Sequence, residues 1–299
     1  MSKPSILVFA YHNVGYECLK ALIDNDEYIS AVITHRDNPD EEIWFRSVAN
    51  LAKHYDIPVF TPESVNTPDW VSRIRQLAPD IIFSFYYRNM ISEEILAIPQ
   101  LGAFNMHGSL LPKYRGRVPI NWAIINGETE TGVTLHHMVK RADAGDIVDQ
   151  EKVLIGREDT AADVFEKCTE AAHIVLERQI ENIKAGTAPR RPQNEALATT
   201  FKGRKPEDGR IVWTRNAEEI YNLVRAVTSP YPGAFTTAEG RKLFIWWAKP
   251  VKCKPGAPGQ VLSEDPLLVS TGEGCLELVN WEWEEDDERG LKTGQVLGN

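Results

Sequence analysis

Cysteine is scarce in this sequence: four residues among 299, at positions 18, 168, 253 and 275. None forms a C-x-x-C pair, and the wide spacing predicts neither a zinc site nor a disulfide framework. Buried free thiols in a reducing compartment are expected. Long apolar runs are missing too. No segment approaches the roughly 18 apolar residues that a membrane-spanning helix needs. The N-terminal MSKPSILVFAYHNVG has only a short apolar run before His12, which reads as a strand and not a secretory signal. A soluble, cytoplasmic protein is predicted. Glycine-rich phosphate loops are also absent: the first strand–helix turn, AYHNVGYE, holds one glycine. With no G-x-G-x-x-G and no P-loop, NAD bound in the usual way is not expected. Positive charge is in deficit, with 33 Lys and Arg against 43 Asp and Glu, a net charge of -10. That disfavours broad binding to nucleic acid, which rests on Lys and Arg clusters, but leaves room for a local pocket that holds one nucleotide.

What is present alternates between strands and helices. Ser5–Ala10 (SILVFA), Tyr28–Thr34 (YISAVIT), Ile57–Phe60 and Asp80–Phe85 (DIIFSF) are apolar runs of strand length. Between them, helices are predicted over Gly15–Asp24, Glu41–Tyr55 and a segment carrying Trp70, Val71, Ile74 and Leu77 at helical spacing. This pattern predicts a doubly wound α/β domain with its ligands at the carboxyl ends of the strands. A strand over Thr131–Val139 places His136 and His137 on opposite faces, which suits structural roles. A long helix follows over Thr160–Lys184, then a Pro- and Arg-rich stretch, Gly186–Asn194, that reads as a linker. Asn216 with Glu219 caps another helix. Beyond Pro230 come short strands cut by Gly and Pro, at Ala234–Thr237, Lys242–Ala248, Gly259–Leu262, Leu267–Val269 and Cys275–Trp281, which predict a small β-barrel. The acidic run Glu282–Glu288 reads as a solvated loop, and Trp246 and Trp247 as mostly core.

The stretch Asn105–Pro119, NMHGSLLPKYRGRVP, carries the chemistry. Asn105 and His107 are two apart, so on an extended backbone they face the same side. An amide donor beside an imidazole suits acyl transfer, one group holding an oxyanion and the other moving a proton. An imidazole ordinarily titrates at about 6.5, so it can serve as base and acid near neutrality. Ser109, Leu110 and Leu111 shape the loop, while Pro112 and Gly116 fix its turns. Arg115 is expected as a surface charge.

The run HGSLLPKYRG resembles the signature loop of the folate-dependent formyltransferases, and RADAGDI at 141–147 resembles their second active-site loop. The resemblance extends along nearly the whole chain. It implies an α/β fold: a Rossmann-like formyltransferase domain over residues 1–203 and an OB-like open β-barrel domain over residues 204–299. It also implies a catalytic set of Asn105, His107 and Asp143, with Asp143 favouring the imidazolium form of His107. The matching family segments place Asn89, Met90 and Ile91 on one side of a folate pocket, and Val139, Lys140, Arg141 and Ala142 on the other. Arg117 matches a substrate-binding position. The implied cosubstrate is 10-formyltetrahydrofolate, with no metal.

The closest branch formylates UDP-4-amino-4-deoxy-L-arabinose for lipid A modification and polymyxin resistance. VFAYHNVG, FSFYYRNMI, NGETETGVTLHHMVKRADAG and VRAVTSPYPGAF carry that likeness. In that branch the formyltransferase is half of a bifunctional enzyme, so a fused or partner dehydrogenase/decarboxylase domain is implied. The expected partners are a nucleotide-linked amino sugar and folate, without nucleic acid or membrane insertion. Methionyl-tRNA formyltransferase is the main enzyme rival, and other nucleotide-amino-sugar N-formyltransferases are alternatives. Glycinamide ribonucleotide formyltransferase fits less well because it normally lacks the barrel. A catalytically silent OB-type binding module would show a broken Asn/His/Asp set or a basic face, and neither is present.

Overall fold

Two strands, β1 (Ile6–Ala10) and β4 (Ile81–Phe85), are buried at every position. Strands covered on both faces need mostly apolar side chains, which ILVFA supplies throughout and IIFSF supplies everywhere but Ser84. The computed structural model describes residues 3–39, 42–254, 256–284 and 290–298. The elements that follow β1 are α1 (His12–Asp24), β2 (Ile29–Ile33), α2 (Val48–His54), β3 (Val59–Phe60) and α3 (Pro68–Leu77). After β4 come α4 (Glu93–Leu96), β5 (Gly102–His107), β6 (Arg115–Gly116), α5 (Pro119–Ile125), β7 (Glu130–His137), β8 (Ile147–Leu154), α6 (Ala161–Lys184) and β9 (Thr200–Phe201). The chain ends with α7 (Ala217–Val227), β10 (Ala234–Ala238), β11 (Arg241–Val251), β12 (Val261–Glu264), β13 (Leu267–Ser270) and β14 (Cys275–Trp283).

The chain divides into two compact units. The first comprises Met1–Pro119, Glu130–Leu154 and Phe165–Lys202. Its seven-stranded sheet has the order β3-β2-β1-β4-β5-β7-β8. From β3 to β5 the strands are parallel, whereas β5–β7 and β7–β8 are antiparallel. The order reverses between β1 and β4, the kind of switch point where open α/β sheets bind ligands. One face of this sheet packs Leu7, Phe9, Ile33 and Ile82 against Val71 and Ile74 of α3.

The second unit comprises Ile120–Thr129, Ile155–Val164 and Gly203–Asn299. Its five-stranded antiparallel sheet has the order β10-β11-β14-β13-β12, as the short strands beyond Pro230 predict. Register shifts in the β11–β14 ladder at Ile245/Trp247 and Trp247/Ala248 mark a bulge, which increases local twist. Helix α7 packs on β11 with Ile220, Tyr221, Val224 and Val227 buried. Asn216 Oδ1 accepts from Glu219 N at 2.8 Å and Glu219 Oε2 accepts from Asn216 N at 3.2 Å, so the expected capping box forms. Trp246 and Trp247 are only part-buried; Trp246 stacks on Phe244 and donates to Glu282.

Two expectations need correcting. The helix predicted over Glu41–Tyr55 is confined to α2, because Ser47 accepts from Asn50 N and caps it there. Residues 42–47 are non-helical instead, and Trp44 and Phe45 pack against His12 with ring centroids 4.5 and 4.1 Å away. Cys253 and Cys275 are not free thiols; they form a disulfide with Cα atoms 6.0 Å apart. The cause is register: Val251 of β11 pairs with Cys275, which carries Cys253 past it two residues later. Cys18 and Cys168 are free and buried, and burial pushes the Cys168 thiol up to about 12. Residues 285–288 of the acidic run lie outside the described residues. Among the described residues, no helix is long and apolar enough to cross a membrane.

Candidate active site

The site begins with the register of β5 and β7. Asn105 lies directly opposite His136, and Phe104 opposite His137. Alternation along β5 then sends Asn105 and His107 to one face, as their spacing predicts. Asn105 Nδ2 and His136 Nε2 are 3.1 Å apart. The other nitrogen of that ring, Nδ1, is 2.9 Å from the His137 carbonyl and must donate to it. This fixes the tautomer of His136, with its Nε2 lone pair accepting one Asn105 N–H and its ring orienting the amide. His137 packs on Phe104 across the sheet, centroids 4.8 Å apart, and binds the Pro189 carbonyl at 3.0 Å.

His107 is buried, and its Nε2 lies 2.8 Å from the Tyr114 carbonyl oxygen. A carbonyl only accepts, so Nε2 carries the proton and Nδ1 is the nitrogen left with a lone pair. Nδ1 is 3.5 Å from Asp143 Oδ1, beyond good hydrogen-bond length and within Coulombic reach. The loop that supplies the Tyr114 carbonyl is held from several sides. Ser109 Oγ donates to the Lys113 carbonyl at 2.7 Å, and Thr134 Oγ1 donates to the Ser109 carbonyl at 2.6 Å. Gln150 Nε2 donates to the Leu111 carbonyl at 3.0 Å.

Asp143 reaches this cluster from the loop between β7 and β8. Its φ is +54°, a left-handed conformation that is costly for a residue with a Cβ. Oδ2 accepts from Gly116 N at 2.9 Å, and Oδ1 sits 3.6 Å from His136 Nε2. Burial opposes its charge, but the nearby His107 imidazole and the Gly116 N–H outweigh that cost. Together they hold its carboxyl well below the usual carboxylate range. Asn105, His107 and Asp143 thus meet in one cluster, although Asp143 is 36 residues beyond His107 in the chain. His136 joins them. Sequence reading gave it a structural role, but its placement opposite Asn105 is a consequence of pairing that no local pattern reveals.

A family model described as formyl transferase matches residues 5–180, and one described as formyl transferase, C-terminal domain, matches residues 204–291. The chain belongs to the formyl transferase family. Solved structures with the same fold include the N-formyltransferase from Helicobacter canadensis in complex with folinic acid and dTDP-3-aminofucose, at 22% identity and a TM-score of 0.69. That match covers 92% of this chain and 98% of the other. The sugar 3N-formyl transferase WlaRD, solved with dTDP and 5-N-formyl-THF, is 21% identical with a TM-score of 0.71, covering 97% of this chain and 100% of its own. HypX from Aquifex aeolicus, in complex with tetrahydrofolic acid, is 20% identical with a TM-score of 0.65 over 99% of this chain. This formyltransferase spans less than half of the HypX chain, 46% of its length.

The remaining predicted positions lie on the segments 89–91 and 139–142 and at Arg117. Asn89 Nδ2 donates to the Glu63 carbonyl at 3.2 Å, and the Met90 carbonyl accepts from Asn66 Nδ2 at 2.9 Å. The Met90 side chain is exposed, whereas Ile91 is buried in the sheet's apolar cluster, against which Met138 also packs. Lys140 Nζ meets Glu93 at 3.0 Å, so the segment of residues 139–142 lies beside the start of α4. Val139 and Arg141 are exposed, and Arg141 pairs with Glu195 at 2.9 Å. Ala142 is exposed in the same turn. Arg117 is exposed and donates to the Arg88 carbonyl at 3.3 Å, while the Arg88 guanidinium lies 4.7 Å over the Tyr11 ring. Arg115 is no surface charge: its side chain is 2% exposed and salt-bridged to Glu195 at 2.6 Å.

Proposed function

We propose that this enzyme transfers a formyl group from 10-formyltetrahydrofolate to the 4-amine of UDP-4-amino-4-deoxy-L-arabinose, a step in the lipid A modification that confers polymyxin resistance. The observation that carries formyl transfer is the convergence of an amide, an imidazole and a carboxylate within 3.1 to 3.6 Å contacts of one another or of His136. The folate supplies the activated formyl carbon. Residues 89–91 and 139–142 would hold it. Two features support that fit: Ile91 and Met138 share one apolar cluster, and Lys140 with Glu93 ties the segments together.

Each side chain has a role suited to its contacts. Asn105 spends one N–H on His136, which leaves its second N–H to meet the negative charge developing on the transferred carbonyl oxygen. His107 Nδ1 takes the proton from the attacking amine and later supports protonation of the departing nitrogen. Asp143, anionic through its surroundings, stabilises the imidazolium that this creates. Arg117, exposed and close to Arg88, is the candidate donor for the diphosphate of the acceptor.

A nucleotide sugar is favoured as acceptor by the complexes of two related folds, one with dTDP-3-aminofucose and one with dTDP. The net charge of -10 points the same way, since a tRNA needs a broad basic surface. The test is an acceptor panel assayed with 10-formyltetrahydrofolate: UDP-4-amino-4-deoxy-L-arabinose, dTDP- and GDP-linked 4-amino hexoses, and methionyl-tRNA. The pentose should give the highest kcat/KM. A higher value for a hexose or for the tRNA replaces the acceptor and leaves formyl transfer standing.

A further inference from the structure

We propose that Gln193, oriented by Arg115, is a positioning residue that sets Asp143 in place for the reaction; this rests on the catalytic reading of Asp143 given above. Gln193 lies in the Pro- and Arg-rich stretch whose composition suggests a linker. Its side chain is saturated. Nε2 donates to the Asp143 carbonyl at 2.8 Å and to the Gly145 carbonyl at 2.7 Å. Oε1 accepts from Arg115 Nε at 3.1 Å and from Arg115 Nη2 at 2.7 Å. An amide has two donor hydrogens and two acceptor lone pairs, and all four are used. Two carbonyls can only accept and a guanidinium can only donate, so the amide has one possible orientation.

Arg115 is itself fixed. Its remaining donors go to Glu195, Nη1 to Oε2 at 3.0 Å and Nη2 to Oε1 at 2.6 Å. Its backbone N donates to the Thr199 carbonyl at 2.9 Å, and β6 pairs with β9 through Arg115 and Thr200. The segment containing Gln193 is tied down as well: Ile147 N donates to the Arg191 carbonyl at 2.8 Å, and Arg191 N donates back at 3.0 Å.

The purpose of this clamp follows from the backbone it holds. Asp143 has a positive φ, and the turn around it makes a weak internal bond, Ala144 N to the Arg141 carbonyl at 3.3 Å. A non-glycine residue in that conformation costs on the order of 1–3 kcal/mol and persists only where surroundings over-determine it. Gln193 grips the Asp143 carbonyl while Gly116, next to Arg115, grips its carboxylate at 2.9 Å. One buried arginine and its neighbour thus fix Asp143 at both ends. Without the amide, the turn can relax and carry Oδ1 away from His107 Nδ1.

The test uses Gln193→Glu and Gln193→Met in the full chain. Glu keeps the acceptor for Arg115 and loses both donors to the carbonyls; Met keeps the length and loses both. Each should lower kcat by about 10- to 100-fold, the scale of a misplaced catalytic group. KM for the acceptor should stay within about threefold, because Gln193 touches none of the residues proposed to hold it. In an Asp143→Asn background the same changes should cost less than about twofold, since residues acting as one unit are non-additive. Wild-type kcat in Gln193→Glu, or an undiminished loss in the Asp143→Asn background, overturns the proposal. Should Gln193→Met not fold, Gln193→Glu carries the same comparison. If Asp143→Asn alone retains full turnover, the catalytic reading of Asp143 is what has failed, whatever the Gln193 variants do.

Discussion

In the proposed reaction His107 and Asp143 divide the work at the level of single residues, and their surroundings suggest how. The Tyr114 carbonyl claims His107 Nε2, so only Nδ1 can exchange a proton with substrate. His107→Ala should cost roughly 10²-fold or more in turnover, the usual scale for general acid–base help, with an unchanged circular dichroism spectrum. Near-normal turnover in a folded His107→Ala enzyme would remove it from the reaction. Asp143→Asn is nearly isosteric and removes only the charge, so turnover should collapse while a stable folate analogue binds with similar affinity. A matching loss of analogue binding by calorimetry would make Asp143 a loop-shaping residue instead. The depressed pKa of Asp143 also has a pH consequence of definite sign. Burial opposes the charge, but the His107 imidazole and the Gly116 N–H more than compensate. The group therefore contributes stability that is present above the unfolded value of about 3.9 and is lost as pH falls through its lower folded value. Its side-chain carboxyl resonance should not titrate as pH passes through about 3.9 in the folded enzyme. A normal titration there would mean that the cluster does not hold the anion.

At the level of elements, a ladder of only two residue pairs does the positioning in the proposed site. Strands β6 and β9 pair over two residues each, and Gly116 has a φ of +97° with an added Cβ only 2.2 Å from the Phe201 carbonyl oxygen. That neighbour is backbone and cannot swing aside. Gly116→Ala should thus part the two strands, release the Gly116 N–H from Asp143, and lower both stability and turnover. The stability loss should be on the order of 1–3 kcal/mol by urea denaturation, and an unchanged midpoint would contradict it. Removing the cap of α7 is a milder change: Asn216→Ala should cost about 1 kcal/mol in the same measurement and leave kcat intact. These two cases mark what can be read from sequence. The α7 cap was visible because Asn216 and Glu219 are local partners, and β1, β2 and β4 because strands buried on both faces write long apolar runs. The two-residue strands β6 and β9 write no apolar run or periodicity at all. The role of His136 depends on the β5–β7 register, and Gln193 was hidden because its partners are 48 to 78 residues away. Composition at residues 186–194 marks the lack of helix or strand, which is true of most of the stretch, but says nothing of what its side chains hold.

For the whole molecule, charge is the property that bears on the choice of acceptor. The chain has ten more acidic than basic side chains, yet Arg88 and Arg117 lie together, with Arg117 Nη2 on the Arg88 carbonyl. Long-range repulsion of a polyanion combined with one local guanidinium, that of Arg117 on the Arg88 carbonyl, suits a small diphosphate. These alternatives differ in their response to salt. A protein that neutralises 6–10 phosphates of a nucleic acid loses roughly 10³–10⁵ in affinity between 50 and 200 mM salt, because condensed counterions are released on binding. A nucleoside diphosphate sugar has no such condensed atmosphere, and a single guanidinium makes few contacts. Its KM should therefore rise by no more than about tenfold over the same range. Arg117→Ala should raise that KM more than it lowers kcat, since a donor to the diphosphate binds ground and transition states alike. The two measurements belong together, because a weak salt dependence alone would also describe an acceptor held by neutral contacts. A steep salt dependence with methionyl-tRNA as the better substrate would move the acceptor to RNA. Loss of kcat without change in KM in Arg117→Ala would move Arg117 from the diphosphate to the reacting centre.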